Sequence, residues 1–111
     1  MSTLVEKQAR LAQMVARLIQ RADELGFAVT LGEAWRSEEE ARRLAGAGRG
    51  VRRSLHCDRL AIDINLFRGG VWIEGAEGHK ALGEWWESIG GAWGGRFGDG
   101  NHYSLPHDGR K

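Results

Sequence analysis

Asp63 lies in the middle of an apolar run, Leu60-Ala61-Ile62-Asp63-Ile64-Asn65-Leu66-Phe67. Side chains alternate along a strand, so Leu60, Ile62, Ile64 and Leu66 share one face, and Ala61, Asp63, Asn65 and Phe67 share the other. A carboxylate buried there is expensive unless it is paired or bound to a metal. Its neighbours on that face, Ala61 and Asn65, are small or polar, which points to a face that opens on a cleft. Earlier in the chain comes His56, in Ser54-Leu55-His56. A His and an Asp on one rising segment can both reach a metal when a turn lies between them. A second pair is Asp99 and His102, in Asp99-Gly100-Asn101-His102. The competing reading of that pair makes Asp99 a turn former and His102 a polar strand residue. Taken together, the pairs supply two His and one Asp as candidate ligands, with a spare carboxylate. Catalytic zinc commonly takes three protein ligands and leaves a position for water, whose proton a nearby carboxylate can accept. Arg36 could then stabilise the oxyanion that forms; a buried salt bridge is the alternative for it.

The segment Ser54-Leu55-His56-Cys57-Asp58-Arg59-Leu60-Ala61-Ile62-Asp63 resembles the S-x-H-x-x-G-x-A-x-D motif of the M15 metallopeptidases. Those comprise D-alanyl-D-alanine carboxypeptidases and dipeptidases, and the L-alanyl-D-glutamate endopeptidases used as phage endolysins. Trp93-Gly94-Gly95-Arg96-Phe97-Gly98-Asp99-Gly100-Asn101-His102-Tyr103-Ser104-Leu105 is similar to the second motif of the phage-type members, W-G-G-x-F-x-D-x-x-H-x-x-L. Trp35-Arg36-Ser37 sits where the family has its R-[ST] element. The likeness runs from about residue 30 to residue 105, most of the chain.

The resemblance implies one zinc ion per chain, bound by His56, Asp63 and His102. It implies Asp99 as general base and then acid, Arg36 as the group polarising the scissile carbonyl, and Ser54 near the substrate. The implied substrate is a peptidoglycan stem peptide. L-Ala–D-Glu is the expected bond, because the second motif with Asp99 resembles that branch; D-Ala–D-Ala is the alternative. A carboxypeptidase needs a cation for the free carboxylate, which Arg59 or the Arg49/Arg52/Arg53 loop could supply. A reading of another class keeps the fold and zinc in a non-catalytic wall-binding module, against which the intact Asp99 argues. One departure is Arg59, which stands where the family has Gly. A side chain there resists a positive φ, so a different path for the loop between His56 and Asp63 is expected.

The elements that must carry these residues follow from pattern. Residues 4–25 read as an amphipathic helix, with Leu4, Leu11, Met14, Val15, Leu18, Ile19, Ala22 and Leu25 on one face, Thr3 and Glu6 as a capping box and Gly26 as the stop. Residues 27–31 read as a short strand. Ser37 and Glu40 begin a second helix that runs to about Ala45, followed by a Gly/Arg-rich loop over 46–53, read as solvated linker or as a flap that meets an acidic substrate. Residues 60–67 are the most strand-like stretch, and Arg68-Gly69-Gly70-Val71 is a hairpin turn into Val71-Trp72-Ile73. A third helix covers 77–89, with Leu82, Trp85, Trp86 and Ile89 inward. The rest is glycine-rich loop broken by a strand near 102–105. The fold class is α+β: a small, mainly antiparallel sheet with flanking helices and the zinc site on its face.

The remaining candidates have plainer readings. Cys57 is expected as a small buried hydrophobe, turned away from the ligand set. His79 at a helix start and His107 are expected at the surface. The five Trp are core material first, but Trp93 and Trp72, in loops or turns near the site, are also candidates to line a substrate groove.

Composition sets the outer limits. A chain of 111 residues is expected to form a single catalytic domain over 1–111, here as a monomer. Hydrophobic residues at 41% and charged residues at 28% suit a globular protein. A net charge of +1 argues against nucleic acid as partner. No apolar run nears the ~20 residues of a membrane span. The first residues lack a signal peptide's apolar core, so synthesis in the cytoplasm and action on the bacterial cell wall after release are expected. One cysteine excludes an intrachain disulfide.

Overall fold

Thr3 opens the first helix with both halves of a capping box: its side chain accepts from the Glu6 backbone N–H, and the Glu6 side chain accepts from the Thr3 backbone N–H. The helix, α1, runs Leu4–Glu24 and ends where Gly26 takes a positive φ. Its buried residues are Leu11, Met14, Leu18 and Ala22, whereas Leu4 and Ile19 stay exposed at the edges of the apolar stripe. The computed structural model describes residues 3–49 and 54–111. Arg52 and Arg53 of the Gly/Arg loop lie outside the described residues.

Strand β1 is Ala28–Leu31 and helix α2 is Glu38–Gly46, capped by Ser37, whose side chain accepts from the Glu40 backbone. A short 3₁₀ turn, Leu55–Asp58, leads into β2, Ala61–Arg68. Gly69 and Gly70 both take positive φ (58° and 78°), the backbone a two-residue hairpin demands, and turn the chain into β3, Val71–Ile73. Helix α3 covers Gly75–Ser88, two residues earlier than its apolar pattern indicates. Then come β4, Ala92–Trp93, a 3₁₀ turn over Gly94–Phe97, and β5, His102–Ser104. A two-residue strand has no periodicity to read, so the sequence pattern indicates loop where β4 stands.

The sheet is antiparallel with order β1-β2-β5-β4, and β3 also pairs with β2. One face carries Ile62, Ile64, Leu66 and Tyr103, which join α1 and the α3 residues Leu82 and Trp86 in the main core. The Trp86 indole donates to the Ser104 carbonyl at 3.0 Å and ties α3 to β5. Leu60 precedes the strand and packs instead with Leu55 and Ala61 under the 3₁₀ turn. The opposite face carries Asp63 and His102. This α+β arrangement is the expected one. Among the described residues, no helix is long and apolar enough to cross a membrane.

His79 departs from expectation. It is 1% exposed, and its Nδ1 lies 2.7 Å from the Tyr103 hydroxyl. Its position one turn into α3 faces the sheet rather than solvent. Burial lowers its pKa to about 4 and pushes the Tyr103 hydroxyl well above its ordinary range.

Candidate metal centre and active site

Register places the first two residues. Asp63 is the direct partner of His102 across β2 and β5, so alternation brings both side chains to the same face. Asp63 Oδ1 lies 3.8 Å from His102 Nδ1. His56 arrives from the 3₁₀ turn, whose N-cap is Ser54; the Ser54 hydroxyl accepts from the His56 N–H at 3.1 Å. His56 Nε2 lies 3.3 Å from Asp63 Oδ1. One donor atom from each of His56, Asp63 and His102 therefore falls within 4.8 Å of the others.

These atoms fit a divalent metal. Tetrahedral zinc with bonds of ~2.0–2.1 Å holds its ligands ~3.3 Å apart, the separation found between His56 Nε2 and Asp63 Oδ1. Asp63 Oδ1 is buried and makes no well-formed hydrogen bond among the described residues, so its lone pairs stay open. Burial pushes the Asp63 carboxyl up, but the His102 and His56 rings beside it more than offset this and bring its pKa down to about 2. Two imidazoles and a carboxylate form a borderline donor set that suits zinc.

Asp99 stands next to the cluster, Oδ2 3.9 Å from His102 Nδ1, with its side chain half exposed. Burial raises its pKa, partly offset by His102. Its loop closes tightly: the Asp99 N–H donates to the Gly94 carbonyl at 2.8 Å, and the His102 N–H donates to the Asp99 carbonyl at 3.1 Å. A Cβ on Gly94 would collide with the Asp99 carbonyl and the His102 side chain, so this approach requires glycine. Arg36 reaches the cleft from the other side. Its Nη2 lies 2.6 Å from Glu33 Oε1, and its N–H donates to the His56 carbonyl at 3.2 Å.

The cleft around these groups has a volume of about 850 Å³. Arg36, Ser54, His56, Asp63, Asp99 and His102 all line it, so six of the eight expected site residues converge. The two tryptophans do not. Trp93 is 4% exposed, and its indole donates to the Gly100 carbonyl at 2.7 Å, which places it under the Asp99–His102 loop rather than in the cleft. Trp72 is exposed on β3, opposite Phe67 and away from the cleft lining. Phe97, 52% exposed, lines the cleft and meets the His102 ring edge-on at 5.7 Å; an aromatic residue within a glycine-rich turn is the signal that could have found it.

Residues 108–111 supply a further wall, and Arg49 lines the cleft too. Arg110 pairs with Asp58 at 2.6 Å. Lys7 of α1 donates to the Pro106 carbonyl at 3.1 Å and sits 2.9 Å from His107 Nδ1. His107 is thus partly buried rather than a free surface residue. Cys57 lies outside the ligand group. It is half-buried on the 3₁₀ turn rather than fully buried, and burial pushes its thiol pKa up.

Arg59 overturns the expected change of path. It takes the left-handed conformation, φ 56° and ψ 35°, at the end of the 3₁₀ turn. Its guanidinium lies over the Trp35 ring, 5.1 Å from the centroid. A left-handed L residue costs ~1–2 kcal/mol, and a cation–π contact returns ~0.5–1 kcal/mol. The turn keeps a glycine-like course while carrying an arginine.

The M15 peptidase family model described as D-alanyl-D-alanine carboxypeptidase matches residues 47–105, which include His56, Asp63 and His102. No curated protein matches the chain. Among solved structures, the Serratia marcescens L-Ala D-Glu endopeptidase ChiX shares the fold, with a TM-score of 0.66 and 24% identity over 86% of this chain and 79% of that one. With more than half of its length, the strands that carry Asp63 and His102 and the loop carrying Asp99 inside that match, the chain belongs to the M15 peptidases.

Proposed function

We propose that this peptidase is zinc-dependent and hydrolyses a peptide bond in the stem peptides of bacterial peptidoglycan, with L-Ala–D-Glu as the bond and lysis of the cell wall as the outcome. The observation that carries the reading is the convergence of His56 Nε2, Asp63 Oδ1 and His102 Nδ1 beside the Asp99 carboxylate on one cleft. His56, Asp63 and His102 would hold the zinc. Bound there, zinc supplies Lewis-acid chemistry, polarising a carbonyl oxygen and making water acidic near neutral pH.

The chain's own residues do the rest. Asp99 takes the proton of the attacking water and returns it to the leaving amine; its half-exposed carboxylate, with a pKa raised by burial, suits both directions of transfer. Arg36, held by Glu33, presents positive charge where the carbonyl oxygen gains negative charge. Ser54 positions the His56 backbone at the rim of the substrate site. The whole chain works as one catalytic domain.

The L-Ala–D-Glu bond is favoured by the second motif with Asp99 and by the activity named for the structural neighbour. The family description favours a second reading, removal of D-Ala from a D-Ala–D-Ala end. Arg49, which lines the cleft, is one cation that a free carboxylate could meet there. A defined stem pentapeptide incubated with zinc-loaded protein separates the two. Release of a fragment beginning with D-Glu supports the endopeptidase, and release of free D-Ala moves the function to the carboxypeptidase. An intact peptide, with binding retained, would favour the wall-binding module.

A further inference from the structure

We infer that Glu33 is a positioning residue that fixes His56 as a metal ligand and anchors Arg36 with the same carboxylate oxygen. The inference rests on His56, Asp63 and His102 being the metal ligands. Glu33 Oε1 lies 2.6 Å from Arg36 Nη2 and 3.5 Å from His56 Nδ1. His56 Nδ1 is buried and has no hydrogen-bond partner of good geometry among the described residues, which leaves the Glu33 carboxylate as the acceptor it faces.

The chemistry follows from the two ring nitrogens. A neutral imidazole carries its proton on one of them and a lone pair on the other. A carboxylate facing Nδ1 holds the proton there and leaves the lone pair on Nε2. That is the nitrogen turned toward Asp63 Oδ1 at 3.3 Å. His102 has no such support: its Nδ1 faces Asp63 and its Nε2 is buried without a partner among the described residues. Of the two histidines, His56 is the one whose second ring nitrogen faces a carboxylate outside the ligand set among the described residues.

The backbone holds Glu33 in place. The Gly32 N–H donates to the Asp63 carbonyl at 2.8 Å, the Asp63 N–H donates to the Glu33 carbonyl at 2.9 Å, and the Arg36 N–H donates to the His56 carbonyl at 3.2 Å. Residues 32–36 are thus laced to both ligand segments. The lacing sets the carboxylate between His56 and Arg36, so one side chain couples the metal ligands to the cation of the proposed mechanism.

The test compares wild type with Glu33→Ala and Glu33→Gln. The first readout is the His56 tautomer in metal-free protein, from ring ¹⁵N shifts; the second is zinc affinity by chelator competition. Wild type should show the Nδ1–H form. Glu33→Ala should move His56 toward the Nε2–H form and weaken zinc binding by about 10–100-fold, while Glu33→Gln, which keeps an acceptor oxygen, should recover most of both. If Glu33→Ala does not fold, Glu33→Asp withdraws the carboxylate by one methylene and should move both readouts in the same direction. A variant that keeps the Nδ1–H form and binds zinc within about twofold of wild type overturns the inference. Wild type that binds no zinc overturns the metal reading instead, and the tautomer comparison still judges Glu33.

Discussion

Asp63 and His102 are register partners across β2 and β5, and this pairing alone brings Oδ1 of one to 3.8 Å from Nδ1 of the other. Two strands therefore set two of the three proposed ligands, while the third depends on the 3₁₀ turn capped by Ser54. A strand-held pair is rigid, and rigid ligands lose little entropy on binding a metal.

Removing a ligand should uncouple zinc from folding. At a hundredfold excess over its Kd, zinc stabilises a protein that binds it only when folded by about 3 kcal/mol. His56→Ala, Asp63→Ala and His102→Ala should each lose most of that gain, read as the difference in Tm with and without chelator. Unchanged zinc content in any of them would strike that residue from the ligand set.

Asp99→Ala should separate metal binding from turnover. Asp99 lies beside the cluster rather than inside it, so the variant should bind zinc as wild type does and lose about 10²–10⁴-fold in kcat. Parallel loss of zinc would make Asp99 a ligand.

Arg36→Ala should lower kcat by about 10²–10³-fold with a smaller change in KM, as expected for a group that acts on the transition state. An effect confined to KM would make Arg36 a substrate anchor.

His79 should make the fold acid-sensitive. Its pKa is about 4 in the folded protein, against ~6.5 in an unfolded chain. Below ~6.5 the unfolded state takes up a proton that the folded state refuses, so stability falls as pH drops from about 6.5 to about 4 and levels off below. The slope approaches ~1.4 kcal/mol per pH unit within that window. Urea melts across the window should show this slope in wild type and lose it in His79→Asn; equal slopes in both would assign the acid sensitivity to other groups.

Arg59 offers a backbone test. Arg59→Ala keeps the left-handed strain and loses the contact with Trp35, whereas Arg59→Gly relieves the strain. The Gly variant should be more stable than the Ala variant by roughly 1 kcal/mol. An Ala variant as stable as the Gly variant would show that the turn carries no left-handed strain.

What sequence reveals about this site depends on whether the cause is local. Asp63 stands out because alternation in residues 60–67 isolates a carboxylate among aliphatic side chains, and the buried Ile62, Ile64 and Leu66 bear that reading out. The capping box at Thr3 and the Gly69-Gly70 turn are equally local. The pairing of Asp63 with His102 is not, since register across 39 residues of chain cannot be read from periodicity; the motif resemblance implies only that both reach one metal. His79 shows the same limit in reverse. Its place near a helix start suggests solvent, and only the packing of α3 on β5 reveals Tyr103 behind it. Glu33 gave no signal either, because a Glu three residues before an Arg looks like an ordinary surface pair until His56 arrives from 23 residues away.

The most direct test of the central claim is digestion of purified peptidoglycan with zinc-loaded protein, with chelator-treated protein and with Asp99→Ala, followed by mass analysis of the new termini. New amino termini at D-Glu from the zinc-loaded protein only are predicted. New termini that persist with chelator or in Asp99→Ala would contradict it, as would none from folded, zinc-loaded protein across several wall types.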